Sequence, residues 1–321
     1  MTATDPLWFL AGFCALGVAA GLSLYATLGA LGLLALAGLA PLPPRLSGLE
    51  APLVLGPILV FYAVEAALAR TEGIDLLADA AQAGIRPLGA ALLAGAAVAP
   101  FGSDVSWVIA AIAAALAFWT HTARSGLTFL LRTSTRSQHA PVIATAAEGA
   151  AAAVVLLGAL WTPASVGLAA ALFLAPLVRF PTLWNASDAG RYAAWAILAY
   201  PFHGRAWRDA DILPQRFARL LQTTIGPAAR VLRIAPALAR RVPGVPTLAR
   251  GWLAFTSEGA YFLYRGFRRP RAARLPKSRT LPGFGRVLDS LRLEDGKAEF
   301  LLPKSAPRPD TLPRHLLESP D

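Results

Sequence analysis

The segment VSWVIAAIAAALAFWT, residues 105–120, carries no charged side chain, and VIATAAEGAAAAVVLLGALW, residues 142–161, is interrupted by Glu148 alone. Runs of Ala, Leu, Val and Ile of this length gain by entering hydrocarbon, and about 20 such residues suffice to cross a bilayer as a helix. Both segments therefore predict membrane-spanning helices. The charges support this division of the chain. The first 200 residues hold 8 Arg and 9 acidic residues, whereas the last 121 hold 22 Lys+Arg against 10 Asp+Glu, so nearly all of the net +11 sits at one end. An apolar half followed by a basic half is the pattern of a membrane bundle with a cytoplasmic domain.

At 321 residues, 55% hydrophobic and 15% charged, the chain accommodates about six spans and a further domain of about 100 residues. No Lys or Arg precedes Arg45, which argues against a cleavable signal peptide and predicts that the first helix is retained. The lone cysteine, Cys14, lies inside an apolar run. It permits no internal disulfide and no thiolate metal cluster.

The candidate spans are residues 7–39, 51–69, 86–99, 105–122, 142–161 and 166–178, with turn signals at 41–44, Gly73, 100–104 and 162–163. The fold class expected is an all-α polytopic bundle of about six helices over residues 1–181. Interfacial and basic amphipathic helices are expected over 182–245, a small antiparallel β module in an α+β cytoplasmic domain over 246–304, and a disordered tail over 305–321. The first span is too long for one perpendicular crossing, and Gly17 and Gly21 could divide it. Arg70, Arg86, Arg132, Arg136 and Arg179 fall at alternate connections. With residues 7–39 as a single crossing, this places the amino terminus and the C-terminal domain in the cytoplasm of a bacterial inner membrane. Two crossings there would move the amino terminus outside. The six spans also permit a 3+3 inverted repeat, with Ala26-Thr27-Leu28-Gly29 laid over Ala123-Arg124-Ser125-Gly126. Residues 73–84 place Ile74 and Leu77 on one helical face and Asp75, Asp79 and Gln82 on the other, which predicts a short helix on the inner surface.

Glu65 lies about 7 Å of helical rise from Arg70, and Glu148 about 10 Å from Pro141. A fixed charge at such depth costs a few kcal/mol, so each carboxylate should face the bundle, a wet cavity or a positive partner. His121 and Arg124, one turn apart, are the available partners. One reading is a cytoplasm-facing polar pocket in which Glu65 and Glu148 bind a cation or proton and Arg124 balances them or holds an anionic head group. The other is that each Glu snorkels to water or forms an ion pair that only fixes helix packing. Arg132 and Arg136 read as topology signals, and Asp75 and Asp79 as the solvated side of the surface helix. No metal-ligand spacing, nucleophile elbow, phosphate loop or dinucleotide fingerprint occurs, so neither a metal nor a cofactor is expected. An intramembrane enzyme would use His121 as acid or base beside the carboxylates, but no nucleophile accompanies it.

Gly73-Ile74-Asp75, Asp79, Gln82 and Ile85-Arg86-Pro87-Leu88-Gly89, followed by His121-Thr122-Ala123-Arg124-Ser125-Gly126 and Thr133-Ser134, resemble the bacterial membrane family catalogued as domain of unknown function 4126, over roughly residues 10–180. The resemblance implies a polytopic membrane protein without an assigned activity. It also implies that Asp75, Asp79, Arg86, His121, Arg124, Glu65 and Glu148 are to be tested together, and the topology read from the loops independently maps all of them to the cytoplasmic side. The family pattern has a basic residue near Thr128 and an Asn near Arg132, and the chain departs from it at both.

The basic end begins with Trp184, Tyr192, Trp195 and Tyr200, aromatic residues that suit the headgroup level. Residues 214–241 then set Phe217, Leu220, Leu221 and Ile225 against Arg216, Arg219, Arg230, Arg233, Arg240 and Arg241, interrupted by Pro227 and Pro236. A basic amphipathic segment of this kind predicts binding to anionic lipid. Strand-like stretches at 251–256, 260–266, 286–293 and 298–302, with turns at Ser257-Glu258-Gly259 and Glu294-Asp295-Gly296, predict the β module. Its pattern is similar to part of a pleckstrin-homology or GRAM-type sheet. Lys297 and the basic cluster at 265–279 are candidate contacts for lipid phosphate or an acidic partner. A membrane tether argues against nucleic acid as the use of this charge.

Two functions follow from these residues. The first is a transporter or flippase of a small or lipidic substrate, working through Glu65, Glu148 and Arg124. The second is a membrane scaffold whose basic domain binds anionic lipid or a cytoplasmic protein partner. Membrane lipids are partners in both, and the oligomeric state is left open.

Overall fold

A computed structural model describes residues 6–71, 73–134, 139–199, 213–225, 230–266, 269–276, 280–284, 288–294, 296, 298–304 and 306–308. The chain divides into two units, Met1–Ser187 and Asp188–Asp321.

The first unit is helical, with α1 Pro6–Leu22, α2 Leu24–Leu36, α3 Pro52–Leu68, α4 Ile74–Val98, α5 Ser103–Arg132, α6 Ala140–Leu160, α7 Thr162–Leu174 and the start of α8 Phe180–Ala199. Among the described residues, four stretches are long and apolar enough to cross a membrane: Ile74–Phe101, Ser103–Arg132, Ala140–Leu160 and Thr162–Leu198. A fifth is Pro52–Leu68 together with the short helix Pro44–Glu50, bent by 69°. The short third and sixth spans expected at 86–99 and 166–178 are thus parts of longer helices. The expected surface helix at 73–84 is the first half of α4. Asp75, Asp79 and Arg86 accordingly stand on one rod, where a separate interfacial helix would have turned the two Asp residues to water.

Residues 7–39 are two helices, and the break falls at Ser23 rather than at Gly17 or Gly21. Ser23 is extended (φ −158, ψ 108), and its side chain accepts a hydrogen bond from the amide of Ala26 at 3.4 Å, the side-chain role of a helix N-cap. The two glycines serve close approach. A Cβ at Gly17 would lie 3.0 Å from Ala113, and one at Gly21 would lie 2.5 Å from the carbonyl of Ala117. The order of these contacts shows that α1 runs in the direction of α5. In α2, Tyr25 stacks on Phe61, Gly29 meets Leu59 and Gly32 meets Leu55, so α2 runs against α3. Because α3 and α5 both run toward the ends that precede α4 and α6, α1 descends into the bundle and α2 returns. The outer ends of α1 and α2 therefore share a side, opposite the 69–73 connection. Residues 7–39 are thus a hairpin of two short apolar helices rather than one continuous helix.

In the second unit, α9 Gln215–Ile225 precedes a seven-stranded antiparallel sheet ordered β4-β3-β2-β1-β7-β6-β5. Its strands are β1 Val231–Arg241, β2 Ala249–Thr256, β3 Gly259–Arg265, β4 Pro270–Arg274, β5 Thr280–Gly283, β6 Leu288–Leu293 and β7 Glu299–Pro303. The stretches read as strands from sequence are β2, β3, β6 and β7. The sheet begins at Val231, so the boundary expected at 245/246 moves, and residues 231–241 are a strand where the sequence suggested a basic helix. Alternation puts Phe255, Phe262, Leu291 and Phe300 in one core. On the other face, Ile234, Ala254 and Leu263 pack with Phe217, Leu221 and Ile225 of α9. Met1–Asp5, Arg136, Tyr200, Pro227, Asp295, Lys297, Ser305, the end of the tail from residue 309, and residues 267–268 and 277–279 of the 265–279 basic cluster lie outside the described residues.

Candidate functional site

Asp75, Asp79, Gln82 and Arg86 recur along α4 at steps of three or four residues, which places them on one stripe of the helix. On α5, His121, Ser125 and Arg132 form the matching stripe. The two helices are antiparallel, so the stripes meet as a ladder. Asp75 pairs with Arg132, Ser125 donates to Asp79, and Arg86 Nη1 lies 3.4 Å from His121 Nδ1. Asp75 also accepts from the amides of Gly73 at 3.0 Å and Leu76 at 2.7 Å, which fastens the start of α4.

At the top of this ladder Arg86 is fully buried and gathers three elements. One nitrogen donates to Glu65 of α3. The other donates to the carbonyls of Gly21 at 2.9 Å and Leu22 at 2.7 Å. Those carbonyls are left without helical partners because the chain breaks at Ser23, and a cation at the C-terminal end of α1 complements the dipole of that helix. Arg124 brings Nη1 to 3.7 Å of the same Glu65 oxygen that Arg86 holds. Glu148 of α6, 5% exposed, accepts from the hydroxyl of Tyr62 at 3.3 Å and interacts electrostatically with Arg124, Glu65 and Arg86. Six of the seven residues singled out from sequence thus fall in one connected set, and Asp75, paired with Arg132, stands one turn from Asp79 on the same stripe of α4. Glu65, Asp75, Arg86, His121 and Glu148 are buried, and Asp79 is half-buried and accepts from Ser125 of α5, so the two Asp residues face a helix rather than forming the solvated side of a surface helix.

Burying this much charge is favourable only where the partners are close and the remaining lone pairs and protons are used. Here several are not used: Glu65 Oε2, Gln82 Oε1, Arg86 Nε, Thr122 Oγ1 and Arg124 Nε are buried and have no hydrogen-bond partner among the described residues. Unmet polar capacity in a packed helix bundle is uncommon and marks a place that is strained or that takes up water or a ligand. Chemically the arrangement offers two carboxylates and a guanidinium with spare acceptor and donor capacity. Among the described residues no group of three or more His, Cys, Asp and Glu could hold a metal ion.

Sequence reasoning missed Tyr62, Ser125 and the Gly21 and Leu22 carbonyls. Tyr62 stands three residues before Glu65 and Ser125 four after His121, so helical spacing alone could have drawn both in. Nothing in residues 7–39 marks the two carbonyls.

The six arginines proposed to bind lipid do not form one basic helical face. Arg216, Arg219, Arg230 and Arg241 are exposed. Arg216 sits 5.1 Å from the ring of Phe217, and Arg240 pairs with the buried Glu299 at 3.1 Å. Arg233 lies half-buried on β1. The apolar stripe of α9 that would have entered the headgroup region is covered by the sheet.

No curated protein and no solved structure matches the chain. The family model described as Domain of unknown function (DUF4126) matches residues 10–182, more than half of the 321 residues, and covers the whole of the α1 to α6 cluster. The chain belongs to that family.

Proposed function

We propose that this protein is a carrier or flippase of a small or lipidic substrate in the bacterial inner membrane, with the cluster at Glu65, Arg86, Arg124 and Glu148 as its substrate site. The 69–73 connection and the basic C-terminal unit are cytoplasmic in this reading. The observation that carries it is the meeting of opposite charges from α3, α4, α5 and α6 with the broken end of α1, with buried polar atoms left unpartnered. Discontinuous helices whose ends point at a mid-membrane polar site are a recurring device of transporters. A purely structural ion pair would not need spare capacity on both Glu65 and Arg124. A 3+3 repeat is not required by this reading.

The test is native mass spectrometry of the full-length protein extracted from its host membrane. Wild type is expected to carry a small molecule or lipid as a mass adduct that Glu65→Gln and Glu148→Gln lose while remaining folded. A bare wild type, or variants that keep the adduct, would contradict the site.

A second reading, a membrane scaffold, draws support from the self-contained core of the β unit and its exposed Arg216, Arg219, Arg230 and Arg241. These arginines could recruit anionic lipid or an acidic protein by charge alone. Deleting residues after Pro201 separates the readings: a scaffold loses its function entirely, whereas a carrier retains the adduct.

A further inference from the structure

The two guanidiniums of the cluster both turn to Glu65: Arg86 pairs with its Oε1, and Arg124 Nη1 lies 3.7 Å from the same atom. Asp79 takes the hydroxyl of Ser125 and interacts with His121, Arg124 and Arg86. Glu148, buried on α6, takes the hydroxyl of Tyr62 at 3.3 Å and, among the described residues, forms no ion pair. The titratable groups that act on it are Tyr62 and Glu65 of α3, Arg124 of α5 and Arg86 of α4. The other helices packed on α6 are α1, α2 and α7. They carry no charged side chain, and their titratable groups are Cys14 and Tyr25, the latter stacked on Phe61.

A carboxyl group sealed in a helix bundle without a cation is held as the neutral acid, because its charged form has lost water and gained no partner. The arrangement also supplies a partner for the charged form. Arg124 reaches a Glu65 oxygen that Arg86 already neutralises, and it interacts with Glu148 as well. When Glu148 gives its proton to water, Arg124 can leave Glu65 for it, and Glu65 keeps Arg86. That exchange loosens α3, whose buried residues are Leu55 and Glu65. We propose that Glu148 is the proton site of the carrier, protonated while the cluster is closed and ionised, with Arg124 drawn to it, when the cluster opens. This inference rests on the carrier reading of the cluster and names its coupling ion.

The experiment is infrared spectroscopy of the full-length protein in lipid bilayers at pH 7. A water-exposed glutamate is then protonated in roughly one molecule in 500, so a protonated-carboxyl C=O band present in most wild-type molecules, the expected result, stands about a hundredfold or more above that level. Glu148→Gln should lose the band. Tyr62→Phe, which removes the hydroxyl that donates to Glu148, should keep the band and shift its frequency. A wild type without the band, a Glu148→Gln protein that keeps it, or a band unmoved in Tyr62→Phe overturns the proton site. Gln copies the protonated acid and cannot ionise, so Thr122→Cys in a Cys14→Ala background should react with a water-soluble thiol reagent about tenfold more slowly once Glu148→Gln is added. Equal rates overturn the link between proton release and opening. Should the band be missing while Glu65→Gln still loses its native adduct, the carrier reading stands without a proton at Glu148. Should Glu148→Gln lose the band while Glu65→Gln keeps its adduct, the proton site stands and the carrier site fails.

Discussion

Arg86 and Glu65 join α4 to α3 by a salt bridge in which the arginine side chain is 0% and the glutamate 9% exposed. The same guanidinium caps the carbonyls of Gly21 and Leu22, so one side chain balances a buried carboxylate and closes the end of a broken helix. Arg86→Met should therefore destabilise the fold by about 3–5 kcal/mol, the usual cost of breaking a buried pair from one side. Thermal unfolding in detergent measures it. Glu65→Met in the Arg86→Met background should recover part of the loss, giving a coupling of about 0.5–3 kcal/mol in a double-mutant cycle.

Helix approach along α5 sets a second expectation. A Cβ at Gly126 would lie 2.1 Å from the carbonyl of Leu183, whereas one at Gly149 meets nothing. Gly126→Ala is expected to cost about 1–3 kcal/mol, because backbone must shift. Gly149→Ala should instead stabilise by about 0.5–1 kcal/mol through helix propensity. A pair of unfolding curves decides whether the contacts at Gly126 are as close as described.

The features of this fold leave signals of different strength in the sequence. Apolar runs and charges inside them are strong signals, because both are dictated by transfer energies, and they led to Glu65, Arg124 and Glu148. The break at Ser23 left almost none, since both flanking helices are equally apolar, and Gly17 and Gly21 drew attention although they serve packing. An amphipathic pattern does not say whether its polar face meets water or another helix, so the sequence leaves Asp75 and Asp79 on a face that could be solvated. In the basic half, charge obscured the strand β1. Pro236 suggests an interruption there, yet it pairs opposite Trp252 of β2 at a point outside the recorded pairing of β1 with β7, which starts at Leu238. A proline is tolerated where a strand has a free edge.

The burial of the apolar stripe of α9 has its own consequence. Phe217 is 4% exposed against the sheet, so Phe217→Ala should destabilise the β unit by about 3–5 kcal/mol. Hydrogen exchange is the suitable measurement: protection should fall in β1 to β4 and stay unchanged in α4 and α5. A stripe that instead inserted into lipid would leave the strands protected.

A carrier of the kind proposed must open the Glu65–Arg124 cluster to water on one side of the membrane, the cytoplasmic side in that reading, and Thr122 reports on it directly. Its hydroxyl is buried and without a hydrogen-bond partner among the described residues, so Thr122→Cys in a Cys14→Ala background is a near-isosteric probe. Labelling by a membrane-impermeant thiol reagent in inside-out and right-side-out vesicles is the measurement. A carrier predicts modification from the cytoplasmic face and protection by native substrate; no modification from either face would show a closed structural core and contradict the account.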